Sequence, residues 1–271
     1  MIDFKKIFNP VSAAKFNKYQ ELVPMHRQKK SYLSIIVLIS IFSTNNIGLA
    51  EDEKKPWNNQ AELSFVSTSG NSDTENLSIK NKFEFQASEK VKLVWKASAL
   101  RGEADGVSSS ESYATSLRGD YKYSDPIFIF LSTGWEQDKF AGTKSKINVG
   151  PGVGYKILTG PKHSLTTEAG GNYVTEKNTD GTDNSYSNGR LFSEYGYQFN
   201  EDSKFTQKLE YLHDFNNSKN YNANSETSVT TAFTDMFSLK IGYTVKYDNE
   251  PLSSAYTKTD KVLSTSILAD F

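Results

Sequence analysis

From Trp57 to Phe271 the chain alternates between apolar and polar residues with a period of two, in stretches of about ten residues broken by polar turns. That pattern gives strands with two unlike faces, and a helix would not sustain it. Val91, Leu93, Trp95, Ala97 and Ala99 share one face, while Lys92, Lys96 and Ser98 share the other. Phe237, Leu239, Ile241, Tyr243, Val245 and Tyr247 form a second apolar face, opposed by Ser238, Lys240, Gly242, Thr244, Lys246 and Asp248. The pattern predicts about twelve strands, near 57–68, 74–87, 91–101, 112–123, 127–138, 145–157, 163–175, 186–199, 203–215, 222–233, 236–248 and 258–271. A strand of about ten residues is long enough to cross a bilayer at a tilt.

Composition then decides between two kinds of β protein. Aromatic residues make up 13% of the chain, yet the mean hydropathy is −0.57. A soluble β-sandwich would bury that many rings in a recognisable apolar core. A helical membrane protein would need apolar runs of about 20 residues, and only one run here comes near that. A barrel, with lipid-facing and lumen-facing residues alternating, accommodates both facts. The expected fold is all-β: an antiparallel transmembrane β-barrel of about twelve strands. With no cysteine and three histidines, neither disulfides nor a thiolate metal site is available, and no cofactor is expected.

The single apolar run lies near the N-terminus. A basic stretch, His26–Lys30, precedes the apolar Tyr32–Phe42, and Gly48-Leu49-Ala50 supplies small residues before Glu51. That order is expected of a secretory signal peptide cleaved between Ala50 and Glu51. The apolar stretch is too short to span a bilayer as an anchor. The polar leader ahead of Met25 is unusual, and Met25 is an alternative start. The expected organisation is residues 1–50 as leader and signal peptide, 51–56 as a periplasmic tail and 57–271 as the barrel. Removing residues 1–50 takes away seven basic and two acidic residues, moving the formal net charge from −1 to −6. No basic patch for nucleic acid remains.

The connections form two sets that take turns along the chain. One is tight: 88–90, 124–126, 159–162, 200–202 and 234–235. The other is generally longer and more polar: 70–73, 102–111, 139–144, 176–185, 216–221 and 249–257. Short periplasmic turns and longer outer loops are a membrane-barrel trait, and an even strand number puts both termini on the periplasmic side. Aromatics gather where two interfacial girdles are expected. Trp57, Tyr121, Tyr123, Tyr155, Tyr197, Phe199 and Phe271 fall near the tight turns, and Trp135, Tyr173, Tyr211 and Tyr247 toward the long loops.

Gly70-Asn71-Ser72-Asp73-Thr74, Gly150-Pro151-Gly152-Val153-Gly154-Tyr155 and Tyr247-Asp248-Asn249-Glu250-Pro251 with Lys258-Thr259-Asp260 give the chain a further likeness. In that order and spacing it resembles the YdiY-like, salt-induced outer-membrane protein family. The resemblance covers about Trp57 to Phe271 and implies an outer-membrane barrel in Gram-negative bacteria. It supplies no catalytic residues, and salt response is implied only by the family's name.

The face expected to line the lumen is strongly charged. Lys80, Lys82, Lys92, Lys96, Arg118, Lys122, Lys146, Lys156, Arg190, Lys208, Lys240 and Lys246 are met by Glu62, Glu84, Asp120, Glu136, Asp138, Glu168, Glu194, Glu210, Asp214, Glu226, Asp248 and Asp270. Such rings of charge suit a narrow passive channel for small polar or ionic solutes. They equally suit a lumen filled by its own salt bridges, in a closed structural or adhesive barrel supporting the envelope under osmotic stress. Gly150, Gly152 and Gly154 share the inward parity of one strand, leaving room for an inturned loop or a solute, or relieving crowding from large side chains across the lumen.

The one enzymatic hint is His213, placed outward with Ser225 roughly opposite on the next strand, a pairing that would serve a hydrolase. No local nucleophile motif accompanies it, and the chain is expected not to be an enzyme. His163 begins a strand beside a tight turn and is expected to be solvated. Asp180–Asn184 resembles part of a calcium loop without its remaining ligands. Expected partners are outer-membrane lipid and lipopolysaccharide, with the barrel-assembly machinery engaging the C-terminal strand that ends at Phe271, and no nucleic acid.

Overall fold

The computed structural model describes residues 55–68, 74–251 and 258–271. The signal-peptide reading of residues 1–50, and the connection at 70–73, lie outside the described residues. Twelve strands follow one another: β1 (Trp57–Thr68), β2 (Thr74–Gln86), β3 (Val91–Ala104), β4 (Val107–Lys122), β5 (Ile127–Asp138), β6 (Thr143–Thr159), β7 (His163–Asn178), β8 (Asp183–Gln198), β9 (Ser203–Asp214), β10 (Tyr221–Ala232), β11 (Phe237–Asp248) and β12 (Thr259–Asp270). Each pairs antiparallel with its chain neighbour, and β12 pairs with β1, so the sheet closes into a barrel.

The pairing partners along the long runs of every ladder are numbered so that even faces even and odd faces odd. One rule therefore holds nearly throughout: even-numbered residues point into the lumen, odd-numbered residues outward. Of the exposed large hydrophobic residues all but four (Phe140, Leu158, Met236 and Val262) are odd. Leu158 lies just past a bulge in β6, where the register shifts. Among the described residues the buried side chains are all even, and only Val94, Phe130, Val174 and Leu268 of them are apolar. The rest are polar, including Glu62, Glu168, Asn188, Asp214 and Ser266. This is a globular protein turned inside out, with apolar surface outside where lipid satisfies it.

Following the register once around returns to β1 displaced by about 16 residues, a strand tilt of roughly 43° and a backbone diameter of roughly 25 Å for standard strand spacing.

Two expectations about the connections need correction. The loop expected at 102–111 is a two-residue turn: β3 runs to Ala104, β4 begins at Val107, and Asp105 and Gly106 both carry positive φ, 52° and 75°. That is the geometry of a type I′ hairpin, for which Asp-Gly is the favoured pair. The connections at 139–142 and 179–182 are likewise as short as those of the tight set, because β6, β7 and β8 are 16 or 17 residues long. Strand length, more than loop length, extends this end of the barrel.

The same end shows a recurring device. Strands β5, β9 and β11 each finish on an inward aspartate whose carboxylate caps the following turn. Asp138 accepts the backbone N–H of Phe140 and Ala141, Asp214 those of Asn216 and Asn217, and Asp248 that of Glu250. Asn178 plays the equivalent part at the end of β7, donating from its side chain to Thr182 Oγ1. These are Asx-type turns, which an Asp or Asn side chain builds by substituting for a backbone acceptor or donor.

Candidate functional site

The lumen holds a cavity of about 700 Å³ lined by residues from all twelve strands, polar or charged from every strand but β12, which contributes Leu268. Lys80, Lys82, Lys96, Arg118, Glu136, Lys146, Arg190, Glu194, Lys208, Glu210 and Lys240 line it directly. Asp120 and Glu168 stand behind Arg118 in ion pairs, Lys92 bridges Glu84 and Asp120, and Lys246 shares the same inward parity on β11.

Most of these charges are tied into two alternating chains along the wall. The first begins at Lys82, 3.1 Å from Glu84, and continues through Lys92 to Asp120. Arg118 Nε donates to Asp120 at 2.7 Å, and its two terminal nitrogens grip Glu168 at 3.0 and 2.8 Å. Arg190 donates to Glu168 at 2.8 Å and to Glu210 at 2.7 Å, and Asn224 donates to the far oxygen of Glu210. The second chain runs from Lys80 through Glu62, Lys240 and Glu226 to Lys208, with Ser266 donating to Glu62. No buried side-chain polar atom among the described residues lacks a hydrogen-bond partner.

The grip of Arg118 on Glu168 explains the glycines. Arg118 is on β4 and Glu168 on β7, so the pair spans the faces of β5 and β6. Phe128 and Phe130 of β5 lie flat there, because β6 presents no side chain beneath them. A Cβ on Gly154 would sit 2.0 Å from the Phe128 ring, and one on Gly152 2.2 Å from the Phe130 ring. The Arg118 guanidinium stacks on Phe130 with its centre 3.8 Å from the ring centroid, within cation–π range. Gly150 and Gly170 serve a different contact: a Cβ on either would strike backbone, Gly171 O at 2.0 Å and Pro151 O at 2.8 Å. The glycine-lined space is thus filled by the protein's own rings and leaves none for an inturned loop or solute. Phe128 and Phe130 share the inward, even-numbered face of β5, but the role of shelf under an arginine has no one-dimensional signature.

The hydrolase pair is not assembled. The register sets Tyr221 opposite His213, while Ser225 faces Leu209. His213 stacks on Tyr211 at 6.1 Å and contacts its hydroxyl at 3.3 Å. Ser225 accepts the Gln207 side-chain amide at 3.0 Å. His163 is likewise part of an aromatic group, with its Nδ1 2.8 Å from the Tyr195 hydroxyl and its ring 4.9 Å from Tyr197. In the loop once compared to a calcium site, Asp180 accepts both the N–H and the O–H of Thr182, so its carboxylate closes the turn.

The outward aromatics sit where belts are needed. Trp57, Tyr121, Tyr123, Tyr155, Phe199 and Phe271 are exposed at the end where β1 begins and β12 finishes, with Tyr197 edge-on to Phe199. Toward the other end are Tyr173, Trp135, whose Nε1 donates to Ser145, and a run of rings through Tyr211, Tyr221 and Tyr247.

A closed antiparallel barrel, apolar outside with aromatic belts and charged within, defines the class: a transmembrane β-barrel. The chain belongs to the family described as "Protein of unknown function, DUF481", whose model matches residues 61–271. It is 26% identical over 214 residues to the uncharacterised protein YdiY of Escherichia coli K12, covering 79% of this chain and 83% of that one. Among solved structures it is similar in fold to the translocator domain of the autotransporter NalP from Neisseria meningitidis, with a TM-score of 0.50 and 10% identity over 82% of this chain and 90% of that one. An outer membrane channel from Pseudomonas putida F1 gives a TM-score of 0.49 and 9% identity, over 79% and 95% of the two chains.

Proposed function

We propose that the protein is a narrow passive channel of the outer membrane for small polar or ionic solutes. The observation that carries this reading is the polar cavity of about 700 Å³ enclosed by the barrel wall. Its lining is mostly polar and charged, and among the described residues only four apolar side chains are buried. In this reading both termini, adjacent through the β1–β12 pairing, face the periplasm, and lipid and lipopolysaccharide cover the odd-numbered face.

The competing reading, a closed barrel serving envelope integrity, has one observation in its favour: the Arg118–Glu168 clasp reaches across two strands and narrows the bore on that side. Conductance separates the two. Protein purified from membranes and inserted into a planar bilayer should give discrete, reproducible steps. A correctly folded barrel that stays silent would sink the channel reading. Orientation has its own check: cysteines introduced at Asn217 should be labelled by an impermeant reagent on whole cells, and cysteines introduced at Asp235 should not.

A further inference from the structure

Two of the cavity's cations have no ion-pair partner among the described residues. Seven of the nine lysine and arginine side chains that line the cavity have a carboxylate oxygen within 4 Å, and among the described residues Lys96 and Lys204 do not. Lys204 stands one residue from the start of β9, at the rim. Lys96 stands mid-strand on β3, exposed to the lumen water. Its cross-strand partner on the same face is Lys82 of β2, which is already paired with Glu84. On its other side it faces Ser116 of β4, next to Arg118 on the inward face.

Like charges placed directly opposite on one face of a sheet work against its stability. The same barrel matches opposite charges elsewhere, as in Glu62 with Lys80 and Glu194 with Lys208 across neighbouring strands. The Lys82–Lys96 pair is therefore an exception in a wall otherwise built of compensated charge. Of the cavity's carboxylates Glu194 acts on Lys96, but Lys82, Lys208 and Arg118 act on it with the opposite sign. The formal charge of −6 on residues 51–271 says nothing of this local excess.

We infer that Lys96 and Lys82 form an anion-binding station inside the lumen, suited to a carboxylate or phosphate group, that makes the passage anion-selective. The inference rests on the channel reading for its consequence in transport but not for the binding itself. A passing anion takes the place of the carboxylate Lys96 lacks, with Ser116 beside it as a hydroxyl donor. The neighbouring ion pairs hold the other side chains back, so that selectivity falls to the one mid-strand lysine left without a carboxylate.

The experiment is the reversal potential of single channels in a salt gradient, for the unaltered full-length protein and for Lys96→Gln and Lys82→Gln. The unaltered protein should favour chloride over potassium, and Lys96→Gln should reduce that preference about fourfold, the Boltzmann factor for a unit charge at about 5 Å in water. Phosphate on one side should block the unaltered channel and not the Lys96→Gln channel. Cation preference in the unaltered protein, or unchanged selectivity in Lys96→Gln, would overturn the inference. If no channel conducts, the channel reading fails separately, and titration calorimetry of the folded barrel with inorganic phosphate decides the station. Heat that vanishes in Lys96→Gln supports it, and no heat in the unaltered protein ends it.

Discussion

Gly150 and Gly154 are four positions apart on one strand and face the same way, yet they are glycine for different reasons. At Gly154 the obstacle to a side chain is the Phe128 ring, which can turn, whereas at Gly150 it is the carbonyl of Gly171. Gly150→Ala should therefore cost more than Gly154→Ala, about 1–3 kcal/mol for overpacking, read as the urea midpoint at which the folded band is lost on unheated gels. Glu168 is the second critical residue, its side chain 7% exposed between two guanidinium groups. Glu168→Gln leaves Arg118 and Arg190 facing each other. The expected loss is about 2–4 kcal/mol, below the figure for a fully buried pair because both arginines keep some contact with water. The same variant should enlarge the single-channel step, since the clasp across β5 and β6 is released. Asp180 gives a pH prediction. The hydroxyl and N–H of Thr182 hold its carboxyl below the usual range. The turn is thus stabilised above the ordinary aspartate pKa and loses that contribution as pH falls through the lowered one. The protection of the Thr182 amide, its exchange rate relative to the unstructured rate at the same pH, should fall in acid while the strands on either side stay protected.

Elements were more legible in the sequence than their contacts, and particular strands show why. Period-two alternation located every strand, because each has one face in lipid and one in a wet lumen. It could not see β3 and β4 continuing to the Asp105-Gly106 turn, because residues 108–112, Ser-Ser-Ser-Glu-Ser, carry no apolar member to mark an outer face. The Asp-Gly pair was the available signal, and Gly106→Val should loosen that hairpin because φ there is 75° and a branched side chain resists it. The misplaced His213–Ser225 pair has another cause. The true register differs from the expected one by an even number of residues, and an even slip keeps every side chain on its own face. The Arg118–Glu168 clasp joins strands separated by two others, and periodicity gives a residue's face but never its reach. The aspartate caps belong to this scale too. Asp214→Ala removes two backbone N–H acceptor contacts and the Asn220 side-chain contact. It should open the loop at 215–220 to protease while the barrel's resistance to heat in detergent is little changed.

At the scale of the molecule, one junction differs from the other eleven. β1 and β12 pair over five residues, Gln60–Ser64 with Asp270–Ser266, where β10 and β11 pair over eleven. Amides of this seam should exchange with solvent sooner than those of β10 and β11, measured on the same detergent-solubilised sample. Because the chain contains no cysteine, Leu63→Cys with Ile267→Cys, which face each other in register, would test it with a single crosslink. The oxidised form should need more urea to unfold than the reduced form. The seam also sets the order of events when the chain folds. Eleven junctions join strands next to each other in sequence, which form quickly because little chain must be gathered. The twelfth brings together groups 210 positions apart, such as the Gln60 side chain and Asp270, at a closure cost of about 5 kcal/mol. Until that happens the growing sheet has two bare edges, each a template for a stray strand. The interval before closure, rather than the finished barrel, is when this protein is most exposed to misassembly.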